Sequence, residues 1–159
     1  MKIIYMHHAE RNITDKHNDA EYRQLEDITE NGIKEAELIA EKFKNSKITA
    51  IYTSPYLRCK HTAEIINKYL NVPIIEEERF NEMMRHEEWK DFLKRNMDAI
   101  DYIVNKHNEE DNIICVTSGV NFSAFVCYFY NLEPSNEISW SQGITCSPIN
   151  FYVNKTKVD

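Results

Sequence analysis

The sequence has few glycines and no long apolar run. Only three glycines occur among 159 residues, at Gly32, Gly119 and Gly143, so each of them is informative. No apolar stretch approaches the roughly 20 residues that cross a bilayer, and none follows Met1 in the manner of a signal peptide. We therefore expect a soluble, cytoplasmic protein with no membrane partner.

Cysteine and positive charge are also limited, and both limits exclude classes of protein. The four cysteines are widely spaced and include no Cys-x-x-Cys pair, which indicates reduced thiols rather than a disulfide scaffold. A formal net charge of -7 argues against nucleic acid as a partner, because phosphate backbones are bound by clustered Lys and Arg. A phosphate ligand would have to be held by a local site.

The composition that remains is that of an ordinary globular chain. Hydrophobic residues make up 42% of the sequence, and a chain of this length buries roughly two-thirds of the surface that it exposes when unfolded. No internal repeat and no low-complexity block divides it. We expect a single domain over residues 1–159.

Hydrophobic periodicity predicts strands that alternate with helices. Apolar residues recur at helical spacing after Thr29, a candidate N-cap, and Ser54-Pro55 supplies cap and first-turn chemistry for a helix through Leu70. The continuously apolar run within 112–117 is typical of a strand buried on both faces. Further strands are predicted at 2–6, 49–53, 74–75 and 149–153, and further helices at 89–108 and 121–130. The polar stretch 11–27 is predicted to be a long, partly ordered loop. The helix at 121–130 is apolar nearly all round, so we expect it to be buried.

This alternation predicts a three-layer α/β/α sandwich with a mostly parallel central sheet. In such sheets ligands bind beyond the carboxyl ends of the strands. His7 and His8 follow the first strand, residues 54–58 follow the second, and Ser118-Gly119 follows the central one. We therefore expect these three segments to meet in one crevice.

The same segments carry a resemblance to a known family. Residues 5–10, Tyr-Met-His-His-Ala-Glu, match a strand that ends in Arg-His-Ala-Glu, and residues 51–64 closely match the pattern Ser-Ser-Pro-Leu-x-Arg-Ala-x-Gln-Thr-Ala. The stretch 28–36 is similar to the family's helix start. The chain thus resembles the histidine phosphatase superfamily, which includes phosphoglycerate mutases and short phosphohistidine phosphatases. The resemblance implies a phosphoglycerate mutase-like fold and no metal or other cofactor.

The resemblance also implies roles for individual residues. His8 stands in the place of the nucleophile, Arg58 in that of a phosphate-binding arginine, and Glu82 in that of the proton donor. Two positions depart from the pattern, because His7 replaces the family arginine and Ser118 replaces the second family histidine. We expect phosphate contacts from both, but neither supplies the permanent charge of an arginine. The resemblance therefore implies a hydrolase of phosphoric monoesters or protein phosphohistidine that acts through a phosphohistidine intermediate, with weakened or altered activity.

Other polar residues are candidates to compensate for these two substitutions. They are expected in loops or helix starts near the crevice, and they are Arg11, His17, His61, Arg85 and His86. Gly119 is a further candidate for the pocket itself. Sequence spacing alone does not establish which of them face inward.

Several alternatives stay open at this point. The chain could be a catalytically inactive phosphate-ligand sensor or protein-interaction module on the same fold. His7 could face away from His8, since neighbouring strand residues point to opposite faces. A metal site built from His7, His8, Asp15 and His17 fits no familiar zinc spacing. The expected partner is a small phosphorylated metabolite or a phosphoprotein, and a homodimer is possible because the aromatic run 122–130 suits either a core or a subunit contact.

Overall fold

Five strands form one sheet in the computed structural model, which describes residues 1–16, 18–132 and 145–153. The strands are β1 (Lys2–His7), β2 (Ile48–Thr53), β3 (Ile74–Glu76), β4 (Asn112–Thr117) and β5 (Pro148–Tyr152). Their order across the sheet is β3-β2-β4-β1-β5. Every neighbouring pair is parallel except β1 and β5, which are antiparallel. The predicted mostly parallel sheet is confirmed.

Helices connect the strands and cover both faces of the sheet. They are α1 (Ala20–Gln24), α2 (Glu30–Phe43), α3 (Leu57–Asn67), α4 (Trp89–Lys106) and α5 (Gly119–Tyr130), with a short 3-10 helix at Glu78–Phe80. The Thr29 hydroxyl accepts a hydrogen bond from Gly32 N at 2.9 Å, so the predicted N-cap of α2 is confirmed. The five-residue α1 lies in a stretch for which the sequence predicted only a polar loop.

Side chains alternate between two cores on opposite faces of the sheet. In β1, Ile4 and Met6 pack with α2 and α3, whereas Ile3 and Tyr5 pack with α4 and α5. The central strand β4 follows the same rule, with alternate residues buried on each side. This alternation explains why its sequence is continuously apolar, and it completes the predicted three-layer sandwich.

The start of α3 differs from the prediction. The helix begins at Leu57 with Tyr56 as N-cap and ends at Asn67, so Ser54-Pro55 precedes the helix instead of opening it. Ser54 N donates to Val116 O at 3.0 Å, which extends the hydrogen bonding of the sheet one residue beyond β2. This bond holds Ser54 in the sheet and delays the helix, but Arg58 still lies in its first turn.

The prediction that the last helix is buried throughout is wrong for its final turn. In α5, Phe125 is 1% exposed, but Phe129 is 50% and Tyr130 is 72% exposed within the described structure. The helix begins at Gly119, two residues earlier than predicted, and ends at Tyr130, followed by the C-cap Asn131 with a left-handed φ of 51°. Gly143 and His17 lie outside the described residues. No helix in the described residues has the length and apolar character to cross a membrane.

Gly32 lets α2 approach the chain that follows β1. A β-carbon at this position would lie 2.3 Å from the carbonyl oxygen of Glu10, so no other residue fits without a shift. Thr29 strengthens the contact, since its N–H donates to Glu10 O at 2.8 Å and its hydroxyl donates to Glu10 Oε1 at 2.6 Å. The first turn of α2 therefore fixes the segment that immediately follows His8.

Candidate active site

The carboxyl ends of three adjacent strands bring the predicted segments together. Because β4 lies between β2 and β1, the chain leaves the sheet at neighbouring points after Thr53, His7 and Thr117. His8 N donates to Thr117 O at 2.9 Å, and Ser54 N donates to Val116 O. Both flanking segments are thus hydrogen-bonded to the central strand at the end of the sheet where the crevice was expected.

His8 is held in one tautomer. Its Nδ1 lies 2.7 Å from the carbonyl oxygen of Ala9, and its Nε2 lies 3.1 Å from Nε of Arg58. A carbonyl only accepts and a guanidinium only donates, so Nδ1 carries the proton and Nε2 carries the lone pair. Burial, His7 and Arg58 together hold the pKa of His8 well below its usual range. The imidazole is therefore neutral, with an unprotonated Nε2.

Arg58 is the centre of the polar cluster. It is fully buried, and its three types of nitrogen have three different partners. Nε donates to His8, Nη1 donates to the carbonyl oxygen of Arg23 at 2.7 Å, and Nη2 donates to Glu82 Oε1. A single guanidinium thus joins α3 to β1, to the end of α1 and to the loop after the 3-10 helix.

Three arginine side chains approach the carboxylate of Glu82. Beside its hydrogen bond from Arg58, its Oε1 lies 3.8 Å from Nη1 of Arg11, and its Oε2 lies 3.4 Å from Nε of Arg23. The backbone of Glu82 is anchored by Arg95 of α4, which donates to its carbonyl oxygen at 3.0 Å. The predicted proton donor therefore lies in the same cluster as the predicted nucleophile.

Two further arginines, Arg11 and Arg23, approach Glu82, and only the first was predicted from the sequence. Arg11 was a candidate, and its Nη1 also lies 3.5 Å from Glu26. Burial and the nearby Arg58 lower the pKa of Arg11 from its ordinary value. Arg23 was not predicted. The available signal was Asp19, whose side chain caps α1 by accepting from Glu21 N at 2.9 Å, but that cap indicates a helix and not the direction of a side chain.

His7 lies beside His8. The centroids of the two imidazole rings are 4.2 Å apart, and His7 is buried. The alternative in which His7 points away from the crevice therefore does not describe this structure. Its proximity is one of the causes that lower the pKa of His8.

Ser118 lies at the expected strand end but directs its hydroxyl elsewhere. The buried hydroxyl donates to Oδ1 of Asn121, one turn into α5. The Asn121 amide in turn donates to Asn96 Oδ1 at 2.7 Å and to Asn81 O at 3.3 Å. Ser118 therefore belongs to a buried polar network that connects α5 and α4 to the residue before Glu82. Its hydroxyl proton is donated within this network, to Asn121.

Comparison with known proteins places this arrangement in a family. The sequence model of the histidine phosphatase superfamily (branch 1) matches residues 7–86 and 83–156. The chain belongs to this superfamily. A curated relative, the uncharacterized phosphatase PhoE of Bacillus subtilis (strain 168), is 45% identical over 51 residues, which are 32% of this chain. That match spans only about a quarter, 26%, of the relative's length.

Solved structures with the same fold cover nearly the whole chain. Bacillus stearothermophilus YhfR superposes with a TM-score of 0.80 at 23% identity, over 97% of this chain and 92% of that one. A phosphoglycerate mutase from Bacillus anthracis str. Sterne gives a TM-score of 0.77 at 13% identity, over 96% and 88% of the two chains. The predicted superfamily and the phosphoglycerate mutase-like fold are both confirmed.

The remaining candidate residues of this superfamily member lie around the cluster rather than in it. His61 on α3 is hydrogen-bonded to Asp27, with its Nδ1 2.8 Å from Oδ1 of Asp27. Gly119 is the first residue of α5. Arg85 and His86 are exposed, and Arg85 lines a cavity of about 920 Å³. Hence only Arg11, of the candidates considered for compensation, contacts Glu82 in the described residues.

The same cavity adjoins the polar cluster. Its walls include Asn81 and Met83, which flank Glu82 in the chain, together with Arg23 and Tyr56. Within the described residues no group of three or more His, Cys, Asp or Glu side chains is arranged to hold a metal ion, and His17 is not among those residues.

Proposed function

We propose that this superfamily member hydrolyses phosphoric monoesters through a phosphohistidine intermediate on His8. The observation that carries the proposal is the state of His8, whose unprotonated Nε2 lies 3.1 Å from the buried Arg58 guanidinium. A nucleophilic nitrogen and a permanent cation side by side are what in-line attack on a phosphoryl group requires. The coarser assignment, a phosphatase-type member of the superfamily, is supported by the family match and by the named relative.

The first step transfers the phosphoryl group to the protein. The lone pair of His8 Nε2 forms the N–P bond while the P–O bond to the leaving group breaks. Arg58 turns its Nε–H from His8 to a phosphoryl oxygen, and the Ala9 carbonyl retains the Nδ1 proton and supports the positive charge that develops on the ring. When the phosphoryl group takes over its guanidinium contacts, Glu82 takes up a proton from solvent or from the phosphomonoester monoanion and gives it to the leaving oxygen.

The second step returns the enzyme to its initial state. Water attacks phosphorus on the face that the leaving group vacated, and the Glu82 carboxylate accepts a proton from this water. The N–P bond breaks and its electron pair returns to His8 Nε2. Inorganic phosphate leaves, and Glu82 gives up this proton to solvent and returns to its guanidinium contacts. His7, next to His8, would add charge on the phosphate when it is protonated.

The cavity beside Glu82 supports a small phosphorylated metabolite as the substrate. A volume of about 920 Å³ is at the upper end of ordinary small-molecule sites. It would accommodate the organic part of a phosphomonoester next to the proton donor. A protein phosphohistidine would present its phosphoryl group from outside instead, and the two substrate classes can be compared directly.

Turnover of a generic aryl phosphate between pH 5 and 8 tests the proposal. We expect hydrolysis by the wild-type protein and a loss on the order of 10³-fold or more in His8→Ala, because the nucleophile is removed. Glu37→Ala, a change on the exposed face of α2, should retain wild-type activity. A phosphohistidine-containing peptide in the same assay distinguishes the two substrate classes.

The rival function is a phosphate-ligand sensor without catalysis. One observation favours it, because the Ser118 hydroxyl donates to Asn121 and therefore cannot replace the second family histidine without rearrangement. If inorganic phosphate raises the melting temperature of the wild-type protein but no aryl phosphate is hydrolysed at any pH, the sensor is the correct account.

A further inference from the structure

We propose that Arg11 and Arg23, both from the segment between β1 and α2, supply the positive charge that the superfamily pattern assigns to the positions of His7 and Ser118. The phosphoryl group would then be bound by Arg58 and by these two arginines, with Glu82 occupying the anion position in the structure described above. The inference rests on the proposed function only for the identity of the ligand, a phosphoryl group in contact with His8.

The Glu82 carboxylate shows where an anion is bound. It is the one acidic group that Arg11, Arg23 and Arg58 all approach in the described residues, at 3.8 Å and 3.4 Å for the first two. A carboxylate offers only two oxygens in one plane, whereas a phosphoryl group offers three oxygens that point in different directions. Three guanidinium groups around one carboxylate therefore match a phosphoryl group better than they match Glu82.

Arg23 has a buried N–H group that could donate to a phosphoryl oxygen. Its Nε is buried and forms no hydrogen bond, although Glu82 Oε2 is 3.4 Å away. A buried donor without a hydrogen bond is unfavourable, and an oxygen of a bound phosphoryl group would satisfy it. The backbone of Arg23 is fixed at the same time, because its carbonyl oxygen accepts from Arg58 Nη1 at 2.7 Å. The residue is thus placed against the centre of the cluster by its main chain.

Arg11 is positioned by the chain around it. Arg11 forms an isolated antiparallel bridge with Ile28, and Asn12 N donates to Asp27 O at 2.9 Å. The buried Glu26 accepts from Thr14 N at 2.9 Å and lies 3.5 Å from Arg11 Nη1. The side chains of Arg11 and Arg23 are 22% and 24% exposed. Both therefore combine a fixed position with access for a ligand from solvent.

The three arginines exceed the acidic groups that they contact. Three guanidinium groups face the carboxylates of Glu26 and Glu82, which leaves one positive charge before an anion binds. In contrast, Arg79 and Arg95, which also line the adjacent cavity, are each bound to a glutamate of their own, Glu77 and Glu87. The surplus of positive charge over contacted carboxylates therefore lies at Arg11, Arg23 and Arg58 and not at Arg79 or Arg95, while the exposed Arg85 is a further guanidinium on the cavity wall.

Binding of inorganic phosphate, measured by titration calorimetry at pH 7, tests the inference. We expect Arg11→Gln and Arg23→Gln each to weaken binding roughly 10- to 100-fold, since each loses a charge-assisted hydrogen bond. Arg23→Lys keeps the charge and should recover part of the loss. The matched control is Lys16→Gln, which removes one positive charge from the same segment, where the ammonium lies over the Tyr22 ring. It should bind phosphate within about twofold of the wild type.

Glu82→Gln gives a result that a purely structural role would not produce. If Glu82 occupies the anion position, neutralising it should strengthen phosphate binding several-fold while turnover falls, because the proton donor is lost. This gain should disappear when Arg23→Gln is added. Weaker phosphate binding by Glu82→Gln would contradict the inference.

The possible failures can be told apart. Phosphate binding that is unchanged in both Arg11→Gln and Arg23→Gln, or that falls equally in Lys16→Gln, overturns the inference even if the wild type hydrolyses aryl phosphate. Arginine-dependent phosphate binding without any turnover refutes the proposed function but leaves the inference standing. If the wild type neither binds phosphate nor hydrolyses the ester, both are refuted. Should Arg23→Gln fail to fold, Arg11→Gln and Arg23→Lys decide the question.

Discussion

At the scale of single residues, the site depends on the protonation state of His8. The Ala9 carbonyl and the Arg58 guanidinium fix its tautomer from opposite sides of the ring. Burial of the ring is the main cause of the lowered pKa of His8. A buried neutral histidine is a common structural feature, but here its unprotonated nitrogen contacts a buried cation rather than a donor without charge.

This lowered pKa predicts how stability depends on pH. Between the pKa of folded His8 and the value of about 6.5 in the unfolded chain, the unfolded state binds more protons at this position. The free energy of unfolding should therefore fall as pH is lowered below about 6.5 and regain its full value above it. His8→Asn lacks this contribution. Melting temperatures of both proteins from pH 5 to 8 should converge toward low pH, and a constant difference would contradict the assignment.

His7 gives a second pH prediction, this time for binding. If its imidazolium contacts the phosphate, affinity for inorganic phosphate should weaken as pH rises past about 7, since the ordinary pKa of histidine is about 6.5. His7→Arg keeps a permanent charge and should remove this part of the pH dependence. The ratio of the two affinities, measured from pH 6 to 8, cancels the titration of phosphate itself. A ratio that does not change with pH would exclude a role for His7 charge.

At the scale of elements, the first turn of α2 positions the chain that follows His8. Glu10 accepts from Thr29 and lies against Gly32, so helix and active-site segment are held in direct contact. The Ser118–Asn121–Asn96 network does the same for Asn81 and the adjacent Glu82. The segments that carry His8 and Glu82 are thus each supported by a helix to which they do not belong.

Gly32→Ala tests this support. A methyl group placed 2.3 Å from Glu10 O requires a backbone shift, and we expect a destabilisation of about 1–3 kcal/mol by analogy with overpacked cores. Turnover should fall as well, because the shift displaces the segment after His8. Chemical denaturation and aryl phosphate hydrolysis measure the two effects, and Glu37→Ala on the same helix is the control. Unchanged stability would show that the close approach is not required.

The sequence predicted the elements better than the contacts between them. Strand β4 was predicted with its exact limits because its apolar run has one interpretation, and the Thr29 cap identified α2. The start of α3 was missed because a long-range bond from Ser54 to Val116 overrides the local preference of Ser-Pro for a helix start. Phe129 and Tyr130 were wrongly expected to be buried. Their hydrophobicity predicted burial, but hydrophobicity alone does not show where a helix leaves the core.

The site was predictable where a motif carried it. His8, Arg58 and Glu82 were found from the resemblance, and the structure places His8 and Glu82 in contact with the same Arg58 guanidinium. Arg23 was missed because its role depends on the direction of one side chain at the end of a five-residue helix. The use of the Ser118 proton was missed for the same reason, since its partner Asn121 lies on the next helical turn.

At the scale of the whole molecule, three arginine side chains of an acidic protein lie together near the ends of three strands. The net charge is -7, yet Arg11, Arg23 and Arg58 surround one carboxylate, and Arg58 also donates to His8. The three guanidinium groups outnumber the two carboxylates that they contact, Glu26 and Glu82, so a positive charge remains where β1, β2 and β4 end. The central claim that follows is that His8 Nε2 accepts the phosphoryl group there.

Trapping the covalent intermediate tests this claim most directly. The wild-type protein, quenched in alkali during hydrolysis of an aryl phosphate and digested, should yield a peptide with one phosphoryl group on His8, labile in acid and stable in base. His8→Ala should give neither this peptide nor turnover. Hydrolysis by the wild type without any phosphorylated His8, or hydrolysis that persists in His8→Ala, would contradict the account.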